Sequence, residues 1–240
     1  MVQEIVNAVA IAKTDHIVEI GPGLGIMTEA MLPMARYLDA VELDRDLVSK
    51  LNQSLPLGNF AIHSADALKF DFCSLVKQQE KLRIVGNLPY NISTPLIFHL
   101  LQQVECIKDM HFMLQKEVVD RLAASPGHGS YGKLSVMVQY HCLVEKLFDV
   151  APDAFSPPPK VESSVVRMNP YLTPPVEIHD KQIFDNVVTT AFAQRRKTLR
   201  NNLKSLIDAE QMLANGIDPG RRAETLTLQE FATLSNIVSH

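Results

Sequence analysis

The stretch Val85-Gly86-Asn87-Leu88-Pro89-Tyr90-Asn91 sets an amide, a proline and an aromatic ring directly after an apolar run. The Asn87 side-chain oxygen and the Leu88 carbonyl oxygen are two acceptors next to each other, and Pro89 limits how far that backbone can relax. The Tyr90 ring adds a flat face on which a base can stack. Together these groups suit a polar site that stacks a flat nucleobase. A turn leading into a helix explains Thr94 and Pro95, as N-cap and first helical residue, but explains neither Asn87 nor Tyr90.

Three other short stretches carry groups of the right kind. Gly21-Pro22-Gly23-Leu24-Gly25 follows an apolar run and lets the backbone turn tightly against a ligand. Its G-x-G-x-G spacing departs from the G-x-G-x-x-G of dinucleotide sites, and the nearby Glu19 suits an amine better than a pyrophosphate. Glu42 is placed to accept both ribose hydroxyl protons, and Asp66-Ala67 to meet an adenine amine. Ribose, adenine and an amino-acid tail without phosphate describe S-adenosylmethionine. Glu19, Gly21, Gly23, Glu42, Asp66, Ala67 and Asn87 are the expected cofactor-binding residues.

These residues need strand ends to hold them. His16 to Ile20, Leu38 to Leu43, Phe60 to His63, Arg83 to Val85 and Met110 to Leu114 read as buried strands, each followed by a turn and a helical stretch. Strand, turn and helix repeated five times imply a mostly parallel sheet covered on both faces, which binds ligands beyond the strands' carboxyl ends. A helix from Leu134 to Cys142 and strands near Lys146–Val150 and Ser164–Met168 suggest an antiparallel finish. The proline-rich segment 169–175 marks the expected boundary between domains 1–170 and 171–240. Beyond it the pattern is helical, with apolar faces at Phe184, Val187, Val188, Ala191 and Phe192, and at Leu199, Leu203 and Leu206.

The chain has 240 residues, 46% of them hydrophobic, enough to bury a sizeable core, and no apolar run long enough to cross a bilayer. A signal peptide is not expected, since the first dozen residues lack a basic segment. Cys73, Cys106 and Cys142 are scattered without a C-x-x-C and read as reduced thiols in a cytosol-like compartment. The histidines show no ligand spacing, so no metal is expected. Net charge is −4, which argues against a protein that coats nucleic acid indiscriminately.

Positive charge is nevertheless concentrated. Arg195, Arg196, Lys197, Arg200 and Lys204 stand within ten residues that contain no acid, with Arg196, Arg200 and Lys204 at helical spacing. Phosphate contacts are expected there, and Arg221 and Arg222 extend the patch. Ser125 to Gly132 reads as a flexible polar loop. Phe155, ahead of Pro157-Pro158-Pro159, fits either a polyproline ligand or a rigid second face for a base held against Tyr90.

The chain resembles the ribosomal RNA adenine-N6,N6-dimethyltransferases that act on the small subunit. The resemblance rests on Val18-Glu19-Ile20-Gly21-Pro22-Gly23, Val41-Glu42-Leu43-Asp44, Asp66-Ala67, Gly86-Asn87-Leu88-Pro89-Tyr90, residues 112–117, Phe155 to Val161 and residues 191–197, in family order from end to end. It implies an α/β, Rossmann-like S-adenosylmethionine-dependent methyltransferase sheet with a small all-helical C-terminal domain. It implies dimethylation of two adjacent adenosines in the 3′-terminal hairpin of small-subunit rRNA, during small-subunit biogenesis. Asn87, Leu88, Pro89 and Tyr90 would bind the target adenine, and Phe155 would stack on it. The implied partner is small-subunit rRNA in an immature 30S-type subunit, met in the cytoplasm, away from membranes, by a monomer. Family members begin with a basic segment that closes over the cofactor; this chain starts within the helix before the first strand, so that segment is expected to be missing. A non-enzymatic assembly checkpoint and a large-subunit or DNA adenine methyltransferase are the alternatives. Leu88, where DNA enzymes usually carry proline, disfavours the last.

Overall fold

The computed structural model describes residues 1–55, 58–77, 80–154 and 161–239. Phe155, Pro157, Pro158 and Pro159 lie outside the described residues. The elements run α1 (Val2–Val9), β1 (His16–Ile20), α2 (Ile26–Met31), β2 (Tyr37–Glu42), α3 (Arg45–Ser54), β3 (Phe60–Ser64), β4 (Leu82–Asn87), α4 (Ser93–Leu101), β5 (Ile107–Gln115), α5 (Lys116–Leu122), α6 (Lys133–His141), β6 (Cys142–Val150), β7 (Ser163–Pro170), α7 (Lys181–Ala191), α8 (Leu199–Asn202), α9 (Ala209–Ala214) and α10 (Leu228–Val238).

The strands form one sheet in the order β3-β2-β1-β4-β5-β7-β6. β1 to β5 are parallel, and β7 runs antiparallel to β5, the finish the sequence suggests. The chain order reverses between β1 and β4, which puts the topological switch point beside the glycine turn. All five residues of β1 are buried, as a central strand covered on both faces requires.

Charge is also built into this sheet. Arg83 of β4, buried and flanked by apolar neighbours, contacts both Asp109 oxygens (2.9 and 3.1 Å from Nε) and Asp15 (2.7 Å). It also donates to the Val9 (2.6 Å) and Ala10 (3.2 Å) carbonyl oxygens. Ala10 is left-handed (φ 52°), so the guanidinium ties the C-terminal end of α1 to the sheet where the chain turns away. Burial opposes its charge, but the two aspartates outweigh that and raise its pKa.

The chain divides into two compact units, Met1–Val119 with Val144–Pro170, and Asp120–Leu143 with Tyr171–His240. The edge at Pro170 coincides with the expected boundary. Residues 120–143, assigned by the sequence to the first domain, cluster instead with the helical second unit. Their Tyr131, Val136 and Tyr140 share a core with Phe184, Val187, Val188, Leu199, Leu203 and Phe231. A separate core in the first unit gathers Val6, Val9, Ile17, Met31, Leu38 and Val85.

Three further expectations are corrected. Cys73 and Cys106 are not free thiols; they form a disulfide between two short 3-10 turns, with Cα atoms 5.5 Å apart. Only the fold brings residues 33 apart into that geometry. Cys142 is free and buried, and burial pushes its thiol up to about 12. The second correction concerns α4, which begins at Ser93, so Thr94 is not its N-cap. The preceding turn already bonds Ile92 N–H to the Pro89 carbonyl (3.2 Å), and the Ser93 hydroxyl donates to the Tyr90 carbonyl (3.2 Å). Pro95 still falls in the first turn, where its missing N–H costs nothing. The third is the cationic stripe, which is not on one helix. α7 ends at Ala191, and Asn202 folds back to donate to the Ala191 (2.6 Å) and Gln194 (3.1 Å) carbonyls, satisfying that helix end. The first N–H groups of α8 bond to Arg221 and Pro219 instead of a preceding helical turn.

Candidate functional site

The sheet register brings the strand ends level. Ile20 pairs with Val41 on one side and Gly86 on the other, Val41 pairs with His63, and Gly86 with Phe112. Gly21, Glu42, Ser64, Asn87 and Met113 therefore each stand one step past the same line across the sheet. Beyond that line lies a cleft of about 450 Å³, lined among others by Gly21, Glu42, Leu43, Asp66, Ala67 and Pro89. A larger cleft of about 690 Å³ lies between α1 and the end of β6. It shares no lining residue with the first and contains none of the expected site residues.

Each cofactor-side group has a geometric cause. Gly21 and Gly23 have φ of 66° and 58°, a backbone conformation that side chains disfavour, so the turn requires glycine. The Glu42 carboxylate accepts from its own following backbone, Leu43 N–H at 2.8 Å and Asp44 N–H at 3.0 Å, and from Gly23 N–H at 3.3 Å. One carboxylate thus joins the ends of β1 and β2 and is fixed at the mouth of the cleft. Asp44 in turn caps α3. The Asp66 Oδ1 accepts from Leu68 N–H at 3.0 Å, while Oδ2 accepts no bond from the described residues. Two held carboxylates facing one partly apolar cleft fit a nucleoside: a diol at Glu42, an amine at Asp66, and an aliphatic wall from Leu43, Ala67 and Ile92. The residues present therefore suit S-adenosylmethionine.

Glu19 is placed differently. It is 1% exposed and does not line the cleft; its Oε2 accepts from the Thr28 hydroxyl at 2.5 Å. Burial pushes its carboxyl up to about 7, the Thr28 bond opposing and the Glu42 charge adding to that rise.

The target-side motif divides by burial. The Leu88 side chain is buried and packs over Gly86, while Asn87, Pro89 and Tyr90 are exposed. Leu88 N–H donates to the Met113 carbonyl (3.2 Å), which fixes the peptide. Neither the Asn87 side-chain amide nor the Leu88 carbonyl oxygen bonds to the described residues, and both remain available to a ligand. Tyr90, 40% exposed, sets its hydroxyl 3.4 Å from the Ser163 hydroxyl of β7.

The cations expected to meet phosphate are not equivalent. Arg195 is paired with Glu224 (3.2 Å) and also donates to the Gly129 carbonyl. Gly127 N–H donates to the Glu224 carbonyl at 2.7 Å, so the loop 125–132 is fastened to the helical unit. Arg221 is likewise held by Glu230 and the Thr225 carbonyl. Arg196, Lys197, Arg200 and Lys204 are exposed and carry no ion pair among the described residues.

Sequence reasoning quoted Leu43 and Gly86 within its motifs but gave them no role of their own, and it did not single out Ile92 or Thr28. Leu43 and Ile92 had a legible signal, each lying in or beside a motif at a strand end. Thr28 and Gly86 are explained only by what they touch across the fold.

Comparisons with known proteins show the family and the fold. A sequence model described as ribosomal RNA adenine dimethylase matches residues 1–240. A protein named ribosomal RNA small subunit methyltransferase A from Pseudomonas aeruginosa is 54% identical over 237 residues, 98% of this chain and 88% of that protein. One of the same name from Chromohalobacter salexigens is 50% identical, covering 100% and 86%. Among solved structures, a dimethyladenosine transferase from Plasmodium falciparum superposes with a TM-score of 0.76 at 26% identity, over 97% of this chain and 93% of that one. The 23S rRNA methyltransferase ErmE shares the fold at the same TM-score, with 21% identity over 100% and 97%. On the full-length match and on this level of identity, the chain belongs to the ribosomal RNA adenine dimethylase family.

Proposed function

We propose that the protein transfers methyl groups from S-adenosylmethionine to N6 of two adjacent adenosines in the 3′-terminal hairpin of small-subunit rRNA, yielding N6,N6-dimethyladenosine. The single observation that carries this reading is the nucleoside-sized cleft, with Glu42 and Asp66, level with the unbonded Asn87 amide and Leu88 carbonyl. Family membership supplies the reaction class, and the names of the relatives favour the small subunit over the large.

When bound, the cofactor supplies an electrophilic methyl group on a sulfonium. The chain's own residues deal with the nucleophile. The N6 lone pair of adenine is delocalised into the ring, so the nitrogen is planar and weak. The Asn87 oxygen and the Leu88 carbonyl accept its two hydrogens, favouring a pyramidal nitrogen with its lone pair free. Pro89 and the Leu88–Met113 bond hold that peptide still. Tyr90 stacks on the extruded base, its hydroxyl steadied by Ser163, with Phe155 as the opposing face. Catalysis then depends on placement, and the methylated ammonium is acidic enough to release its proton to water. Arg196, Lys197, Arg200 and Lys204 meet the RNA backbone. The substrate puts the protein in the cytoplasm with immature small subunits; no described helix is long and apolar enough to cross a membrane.

Incubation of the chain with methyl-labelled cofactor and immature small subunits, followed by nucleoside analysis, tests this reading. Label in N6,N6-dimethyladenosine at two adjacent positions is expected. Label absent from adenine would overturn it. Asn87→Ala should abolish transfer while leaving subunit binding nearly intact.

A further inference from the structure

We propose that Gln115 binds the target base, its side-chain amide donating a hydrogen bond to a ring nitrogen beside N6 of the adenine. The inference rests on the proposed N6 transfer and adds to it a residue of the neighbouring strand.

Gln115 is the last residue of β5, and β5 lies between β4, which carries the acceptor motif, and β7. Two registers fix its place. Asn87 pairs with Met113, and the Leu88 N–H bond to the Met113 carbonyl carries that parallel ladder one residue further. Gln115 therefore stands one step beyond Leu88 along the sheet. On its other edge it pairs with Ser163 of the antiparallel β7. Side chains of such a directly opposed pair leave the same face of the sheet, with Cβ atoms about 5 Å apart. The Ser163 hydroxyl is the group that meets the Tyr90 hydroxyl, at 3.4 Å. Tyr90 starts past the end of β4 and its hydroxyl reaches β7, so its side chain crosses the end of β5. Gln115 thus shares a face with the anchor of the stacking ring, whereas Leu114, on the opposite face, is fully buried. Gln115 is half-buried, and its amide has no hydrogen-bond partner among the described residues.

The direction of transfer gives that amide its role. The cofactor cleft, lined by Gly21, Glu42 and Asp66, lies toward β1, on the side of β4 away from β5. Methyl transfer from there requires N6 to face β1, so the adenine ring extends over the end of β5. Asn87 and Leu88 offer the base acceptors only, which suits the two hydrogens on N6. The ring nitrogens flanking that amine, N1 and N7, are acceptors and need a donor once the base has left water. A glutamine amide supplies one without adding charge beside the reaction.

Small subunits reassembled on rRNA with adenosine, 1-deazaadenosine or 7-deazaadenosine at the two target positions test the inference by single-turnover methyl transfer. Each analogue replaces one ring nitrogen by C–H. On adenosine, Gln115→Met, which keeps the length and removes the donor, should be about tenfold slower than wild type, with cofactor affinity unchanged. On the analogue lacking the contacted nitrogen, wild type should slow by a similar factor and Gln115→Met should add no further loss. On the other analogue the difference between the two proteins should persist. An equal difference on all three substrates, or none on adenosine, would overturn the proposal. Wild-type rates indifferent to both analogues would overturn it without any variant, and Gln115→Glu, which replaces the donor by an acceptor, stands in if the methionine variant does not fold. Absence of transfer to adenosine by the wild type would sink the N6 reading itself, a result distinct from indifference to the ring nitrogens.

Discussion

Gly86 and Ile20 lie so close across the sheet that a Cβ on residue 86 would sit 2.8 Å from the Ile20 carbonyl oxygen and 2.9 Å from Leu88 Cδ2. The Leu88 methyl can swing aside, but the Ile20 oxygen is backbone, so the new Cβ must either part β1 from β4 or displace the backbone of residues 86–88. Gly86→Ala should destabilise the protein by about 1–3 kcal/mol through overpacking. Because Leu88 carries one of the two acceptors for the target amine, turnover should fall further than stability, by about hundredfold. Urea unfolding and single-turnover methyl transfer, measured together, check this. Activity lost only in proportion to folded protein would contradict it.

Arg195 and Arg196 are neighbours in sequence with different duties. Arg195 is engaged by Glu224 and Gly129, whereas Arg196 is unpaired among the described residues. Arg196→Ala, Arg200→Ala and Lys204→Ala should each weaken RNA binding and reduce the salt dependence of log K by about one. Arg195→Ala should leave that slope nearly unchanged and cost at most about 1 kcal/mol of stability. Binding isotherms at several salt concentrations distinguish the two; a full loss of slope in Arg195→Ala would reject the distinction.

His16 bridges two acids, Asp39 at 2.6 Å and Glu80 at 2.9 Å, and His63 also reaches Asp39 at 2.6 Å. Burial opposes charge on His16, yet Asp39 and Glu80 outweigh it and raise its pKa; burial likewise opposes charge on Asp39, and the two histidines outweigh it and lower its pKa. For His16 the stabilisation is complete below about pH 6.5 and is lost as pH rises through the raised value. For Asp39 it is complete above about pH 4 and is lost as pH falls through the lowered value. Stability should therefore peak between those limits. His16→Asn should flatten the alkaline decline and cost about 3 kcal/mol at pH 6, because Asp39 loses a buried partner. Unfolding free energies across pH 3 to 9 report both effects, and an unchanged alkaline limb would count against the network.

The Cys73–Cys106 bond closes a loop of 33 residues in sequence separation. Its loss should lower stability by about 3–4 kcal/mol if the chain-entropy account holds. Gln103 fastens the same junction independently, accepting from Phe72 N–H at 2.7 Å and donating to the Phe70 carbonyl at 3.3 Å. Cys73→Ser with Cys106→Ser should therefore remain folded, and cofactor affinity should change little. Thiol counting by mass shift under reducing and non-reducing conditions, with thermal unfolding of each form, checks this. Identical thiol counts and unfolding in both conditions would show that the bond does not form in solution.

Much of the site could be read from the chain alone. Ligand groups in an α/β sheet sit at strand ends, and a strand end is a local event: an apolar run that stops. That is why Gly21, Glu42, Asp66 and Asn87 to Tyr90 were legible by type and position, and why the five parallel strands and the antiparallel finish followed from periodicity. Tertiary structure decided what depends on partners distant in sequence. The Thr28 hydroxyl is an ordinary helix residue until Glu19 lies beneath it. Cys73 and Cys106 look like scattered thiols until two turns meet. Arg195 looks like its neighbours until Glu224 takes it, and helical spacing over 196–204 gives way because Asn202 ends α7 and residues 219–221 receive α8. Local pattern reports which face a residue presents; only the packed chain reports what that face meets.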